Sequence, residues 1–198
     1  MKIVLASHNK GKLEEFRHLF SNTHYEMLSL ADYCPEEADE TGLTFIENAI
    51  IKARYGCEKT GLPCIADDSG IVVPALNGAP GIYSARYAGE HGNGAANIEK
   101  LIYEMRDIEE ENRHAYFQCV LVFMKNVNDP APIIAEGRLH GKITQQKIGE
   151  HGFGYDPVMF LPEKNCTVAE LSFEEKNQIS HRAVAMQILV KQLSNFVF

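Results

Sequence analysis

The stretch Pro63–Val73, "PCIADDSGIVV", decides how the chain is read. Its first half is an apolar run of strand length that closes on two adjacent carboxylates, Asp67 and Asp68. Ser69-Gly70 marks a turn, and "SGIVVPAL" resumes extended structure after it. A pair of acids ending a buried strand has no evident packing use, and each disfavours ionisation of the other. A cation is therefore expected beside them.

Working toward the N-terminus, Thr44 to about Lys59 reads as a helix: Thr44 can cap it, and Glu47 stands three residues later as in a capping box. Before it lie a strand at Lys2–Ala6, a polar turn "SHNKGK" at Ser7–Lys12, and a helix with Leu13, Phe16, Leu19 and Phe20 at helical spacing. A second strand, Tyr25–Leu30, leads into the acidic loop "EEADETG". Toward the C-terminus, "NGAPGIYSARYAG" is punctuated by Gly and Pro and reads as a loop. Ala95–Met105 is helical, His114–Lys125 is the longest strand, and "PIIAEGRLHGKI" is its expected hairpin partner across "NVNDPA". "GFGYDPVMF" is a loop feeding a short strand. From Leu171 to Phe196 the chain is helical for most of its length, with Ser172 and Glu175 as a second capping box. Strands alternating with helices, plus a late hairpin, predict an α/β fold with a mixed sheet and a single domain over residues 1–198.

The 198 residues carry a net charge of −8, which argues against a nucleic-acid backbone as the main partner. An acidic protein binds a polyanion only through a local cluster of cations or a bound metal. Five scattered cysteines, without a CxxC pair, read as reduced packing residues of a cytoplasmic protein. The first residues turn polar too soon for a signal peptide, and no stretch approaches the roughly 20 apolar residues of a membrane span, so neither a membrane nor a nucleic acid is an expected partner.

The polar turn between the first strand and helix offers backbone N–H groups and the positive end of a helix dipole, a seat for phosphate, with Lys10 and Lys12 adding charge. It is not a Walker A loop, since Ala6 and Leu13 stand where that motif needs Gly and Ser or Thr. Glu36, Glu37, Asp39 and Glu40 form one acidic cluster and Asp67-Asp68 another. Magnesium takes one or two carboxylates together with substrate phosphates, so the two clusters fit a magnesium site, and a carboxylate beside the metal can act as general base toward water. Lys52 lies one helical turn after Asn48. In "EEKNQISHR", Ser180 can cap a helix while Lys176, His181 and Arg182 bring positive charge and donors. "GFGYD" sets Phe153 and Tyr155 among glycines, which suits either base stacking or a plugged turn.

Taken in order, "SHNKGK", "ETGLTFIENAIIKA", "ADDSG", "GAPGIYSARYAG", "GFGYDP" and "EEKNQISHR" resemble the inosine triphosphate pyrophosphatase family, in particular its bacterial dITP/XTP branch. The resemblance spans essentially the whole chain. It implies a two-lobed fold with a long curved mixed sheet flanked by helices, a central substrate cleft, and usually a homodimer. It implies a magnesium-dependent hydrolysis of deaminated purine nucleoside triphosphates, ITP, dITP and XTP, to monophosphate and pyrophosphate. On matched positions it implies that Ser7, His8, Asn9, Lys10, Gly11 and Lys12 form the phosphate site. Glu40 and Asp68 would hold magnesium, with Asp68 also the proton acceptor; Ser69 would contact substrate beside it, and Lys52 would be a further phosphate cation. Phe153, Gly154, Tyr155 and Asp156 would form the base-side loop, completed by Lys176, His181 and Arg182. A pyrimidine-directed pyrophosphatase of the related Maf-like group and a nucleotide-binding regulator without catalysis are the alternatives.

Overall fold

The computed structural model of the chain describes residues 1–21 and 23–194, and at Lys10 the backbone alone. Strands β1 (Lys2–Leu5), β2 (Glu26–Ser29), β3 (Cys64–Val72), β4 (His114–Met124), β5 (Ile133–Ile143), β6 (Met159–Leu161) and β7 (Cys166–Thr167) form one sheet in the order β2-β1-β3-β4-β5-β6-β7. β1 runs parallel to both β2 and β3, whereas β5–β6 and β6–β7 are antiparallel, so the sheet is mixed. The helices are α1 (Lys10–Phe20), α2 (Phe45–Thr60), α3 (Gly94–Glu104), α4 (Phe173–Ile179) and α5 (His181–Ser194). None of the described helices is long and apolar enough to cross a membrane.

The structure corrects the reading of the deciding stretch. β3 runs unbroken from Cys64 to Val72, so Asp67 and Asp68 sit in the middle of a strand and not at its end. Ser69-Gly70 continues the strand because the flanking apolar residues are buried on both sides of it, and local turn chemistry yields to that packing. The long C-terminal helix is also interrupted. Ser180, with φ −61 and ψ 154, is extended and separates α4 from α5: it closes the first helix and stands directly before the second, the place at which the sequence offered it as a cap. Serine offers the backbone alternative hydrogen bonds and favours such junctions. Asn195 and Phe196, at the end of the expected helix, lie outside the described residues.

The chain divides into two units. The first comprises Met1–Asp68, Cys119–Gly137 and Arg182–Phe198. Strand alternation gives its strands two apolar faces. Ile3 and Leu5 of β1, Ile65 of β3 and Cys119, Leu121 and Phe123 of β4 pack with Phe16 and Phe20 of α1 and Met186 and Leu189 of α5. Val4, Ala6, Cys64, Ala66, Val120 and Val122 pack on the other face with Ala49, Ala53 and Cys57 of α2. Helix α2 starts on Thr44, whose side chain accepts from the Glu47 N–H at 3.2 Å, and ends at Gly61 in the left-handed conformation (φ 67). Glu47 reaches back to the Leu43 N–H at 2.8 Å and the Thr44 hydroxyl at 2.9 Å.

The second unit comprises Ser69–Gln118 and Arg138–His181. Its core gathers Ile71, Leu101, Met105, Phe117, Val158, Met159 and Leu171. Arg113 is 1% exposed and donates to the carbonyls of Ile143 (2.7 Å), Met105 (2.6 Å), Ile108 (3.4 Å) and Thr144 (2.9 Å), tying the end of β5 to the segment that follows α3. The expected capping box at Ser172 and Glu175 opens α4.

Candidate active site

Because successive side chains of a strand point to opposite faces, Asp67 and Asp68 do not confront each other. Asp67 lies on the side of Ile65, where α1 and α5 pack, and Asp68 on the side of Ala66, where α2 packs. Each meets its own cation there, and the repulsion expected from sequence adjacency is resolved by the pleat.

On the α1 and α5 side, Asp67 is 1% exposed. Its Oδ1 accepts from Lys12 Nζ, and its Oδ2 from Arg182 Nε at 2.6 Å and the Cys119 thiol at 3.5 Å. Arg182 in turn donates from Nη1 to Glu15. The result is a buried chain of alternating charge: Glu15, Arg182, Asp67, Lys12. Burial pushes the Asp67 carboxyl up, but Arg182 and Lys12 outweigh it and hold the group well below the usual carboxylate range. Arg182, 1% exposed, is therefore turned inward on carboxylates, where the sequence had suggested a donor offered to a ligand.

On the α2 side, Lys52 Nζ donates to Glu40 Oε1 at 2.9 Å and to Asp68 Oδ1 at 2.6 Å. The acidic loop carrying Glu40 is pinned to the same helix, since the Gly42 N–H donates to the Asn48 side-chain oxygen at 2.9 Å. Gly42 is required there: a Cβ would stand 2.6 Å from that of Glu47 and 2.7 Å from the Asn48 oxygen. Asp68 is 7% exposed, and its Oδ2 is buried without a hydrogen-bond partner. Burial pushes its carboxyl pKa up, and Lys52 offsets this only in part, so the net displacement is upward. Lys52 shows the complementary balance: burial favours the neutral amine, but Asp68 and Glu40 keep it charged and raise its pKa.

The turn ahead of α1 is built by its own side chains. Asn9 is the N-cap, accepting from the Lys12 N–H at 3.1 Å, and its N–H donates to the Ser7 hydroxyl at 3.1 Å. That arrangement leaves the N–H groups of Lys10 and Gly11 at the open end of the helix, where anions are favoured. His8 Nε2 lies 2.9 Å from the Cys34 carbonyl and Nδ1 3.2 Å from Glu37, close enough for an ion pair though not aligned as a hydrogen bond. His8 thus binds the turn to the acidic loop. The side chain of Lys10 lies outside the described residues.

A separate group lies within the second unit. Phe153 is 42% exposed, and Lys176 Nζ lies 4.2 Å from its ring centroid. The same ammonium donates to Asp156 Oδ2 at 2.7 Å, and Asp156 also accepts from the Phe153 N–H at 2.9 Å. Gly154 takes φ 60, a left-handed turn that glycine adopts without strain. Tyr155 is not an exposed stacking ring: it belongs to the core, and its hydroxyl donates to the Ser84 carbonyl at 2.9 Å. The His181 ring is stacked on Phe117 at 4.9 Å. Ser69 is half-buried in β3.

Glu15 escaped the sequence reading. It sits three residues after Lys12 in α1, beside the apolar face, and is 4% exposed. An acid on that face, one turn from a site lysine, was the available signal. Cys119, buried against Asp67, left none.

Parallel strands with helices on both faces, and paired carboxylates held by helix-borne cations in mid-strand, define a mixed α/β protein with a charged centre on its sheet. The chain belongs to the Ham1 family, whose model matches residues 3–192. It is 55% identical to the dITP/XTP pyrophosphatase of Haemophilus influenzae over 97% of this chain and 98% of that one. It is 52% identical to the dITP/XTP pyrophosphatase of Idiomarina loihiensis, covering 97% of each. Among solved structures, a HAM1 protein from Coxiella burnetii superimposes with TM-score 0.92 at 43% identity, over 99% of this chain and all (100%) of that one. The Staphylococcus aureus Ham1 protein gives 0.88 at 42% identity, over 98% and 99%.

Proposed function

We propose that this chain is a nucleoside triphosphate pyrophosphatase that hydrolyses deaminated purine nucleoside triphosphates, ITP, dITP and XTP, to the monophosphate and pyrophosphate with magnesium. The observation that carries the reading is the convergence of Glu40 and Asp68, from separate segments, on one ammonium, with Asp68 Oδ2 buried and lacking a hydrogen-bond partner. The names of the relatives at about half identity support the substrate class.

The residues fit magnesium. Among the described residues no three His, Cys, Asp or Glu gather as a metal cage, and magnesium is the ion that takes one or two carboxylates and completes its shell with water and phosphate oxygens. Glu40 and Asp68 would hold it. Bound there, it would neutralise phosphate charge and polarise the phosphoryl oxygens.

The chain's own groups do the rest. The N-terminus of α1 and Lys12 receive phosphate oxygens, and Lys52 adds a second cation. Asp68, whose carboxyl is raised, takes the proton of the water that attacks the α-phosphorus, and the bond to the pyrophosphate oxygen breaks. Pyrophosphate leaves with its charge held by Lys12. Within the second unit, the exposed Phe153 ring is the candidate for stacking on a base, with Lys176, held by Asp156, as the donor beside it. A 6-oxo group accepts from such a donor, whereas a 6-amino group does not, which favours hypoxanthine and xanthine over adenine.

The test is product analysis with ITP, XTP, GTP, ATP and dUTP, with and without magnesium. Pyrophosphate released from ITP and XTP, in magnesium only, is the expected result. Orthophosphate as first product, preference for the pyrimidine, or nucleotide binding without hydrolysis would each refute it. A cytoplasmic homodimer is part of the same proposal, and light scattering of the purified protein checks the dimer.

A further inference from the structure

We propose that Lys52 is the resident counter-ion of the Glu40–Asp68 pair in the nucleotide-free protein and holds a divalent ion out until a triphosphate arrives to receive the ammonium. This rests on the metal-site reading above and concerns the order in which the site fills.

Lys52 Nζ stands 2.9 Å from Glu40 Oε1 and 2.6 Å from Asp68 Oδ1, between the two carboxylates that would share the ion. A divalent ion held by both carboxylates would compete with the ammonium for these same oxygens. Two cations cannot share them without another anion, because the Lys52 side chain, 14% exposed, has little access to screening water. The backbones that carry the two carboxylates are held: Asp68 lies within β3, and the loop of Glu40 is tied to α2 through Gly42 and Asn48. The lysine stem is the element that can move, having four rotatable carbons where its partners are held. It moves only when new acceptor oxygens replace those it gives up, and a triphosphate brings them. Metal and nucleotide therefore enter together, and the site resists loading by the metal alone.

The experiment measures Mn2+ binding to nucleotide-free protein by the electron paramagnetic resonance of the free ion, for the wild type, Lys52→Met and Lys52→Gln, with circular dichroism to verify folding. Both variants are expected to bind Mn2+ roughly tenfold or more tighter than the wild type, since a cation is removed from contact with both ligands. Adding Glu40→Gln to Lys52→Met should remove that gain. Equal affinity in wild type and both variants, lowered in each by Glu40→Gln, overturns the gating role while leaving the metal site intact. No Mn2+ binding by any form, even with an inosine α,β-imido triphosphate present, overturns the metal-site reading and this proposal with it. Should Lys52→Met not fold, Lys52→Gln, which keeps a donor for Glu40, decides the question alone.

Discussion

Asp67 and Asp68 are neighbours in sequence, yet replacing each by asparagine should have opposite consequences. Asp67 closes a buried network with Lys12, Arg182 and, through Arg182, Glu15. Removing one partner of a buried ion pair typically costs about 3–5 kcal/mol, because the remaining charges lose their compensation. For a chain of this size that corresponds to a fall in Tm of roughly 6–20 °C. Asp68 is in the reverse situation. Its carboxyl is raised because burial is offset only partly by Lys52, so ionisation costs stability in the metal-free protein. Asp68→Asn should therefore leave Tm within about 3 °C of the wild type, or above it, while turnover is lost with the proton acceptor. The pH dependence follows from the depressed carboxyl of Asp67. A depressed carboxylate contributes stability above its unfolded value of about 4 and loses it as pH falls through the folded value. The gap between wild type and Asp67→Asn should hold from neutral pH down to about 4 and narrow below it. Thermal denaturation in chelator, scanned by pH, measures this. Equal destabilisation by the two substitutions, or an Asp67→Asn protein as stable as wild type, would refute the assignment of a separate cation to each carboxylate.

Arg113→Met leaves four backbone carbonyls without their buried donor, and a loss of at least about 3 kcal/mol in urea unfolding is expected. Phe153→Ala removes an exposed ring, so it should raise KM for ITP about tenfold by loss of base stacking and leave Tm unchanged; steady-state kinetics with a melting curve separates the two. Ser172→Ala removes the cap of α4 and should cost about 1 kcal/mol, read by urea unfolding with kcat close to wild type.

Elements with a clear period and a cap were legible in the sequence: α2 from Thr44, α3, β4 and β5, and the capping box at Ser172. The helices are set by local chemistry and one buried face, and β4 by a long apolar run that is buried on both faces. The errors fall where distant packing overrides a local signal. Ser69-Gly70 has turn composition but lies inside β3 because apolar residues on both sides are buried. β7, two residues long, offers no periodicity to read. Around the site, the residues that bear charge were visible, but their partners were not. Sequence adjacency suggested that Asp67 and Asp68 share a cation, whereas the pleat assigns them to α1 and α5 on one side and α2 on the other. Arg182 and Glu15 stand far apart in the chain, and nothing local marks them as a pair. Base stacking and a plugged turn were equal readings of "GFGYD", and only the core that receives Tyr155 tells the two rings apart.

The segment order of the first unit bears on how the protein matures at the ribosome. Its opening stretch supplies Glu15 and Asp67, its central stretch supplies β4, and the guanidinium that bridges the two acids arrives only with α5. A nascent chain that has emerged through residue 181 therefore carries two carboxylates destined for the interior and, of their cations, Lys12 alone. At roughly 5–20 residues per second, the 115 residues between Asp67 and Arg182 keep these acids without their arginine for about 6–23 seconds. Late delivery of a single arginine thus ties closure of the charged interior to the emergence of α5.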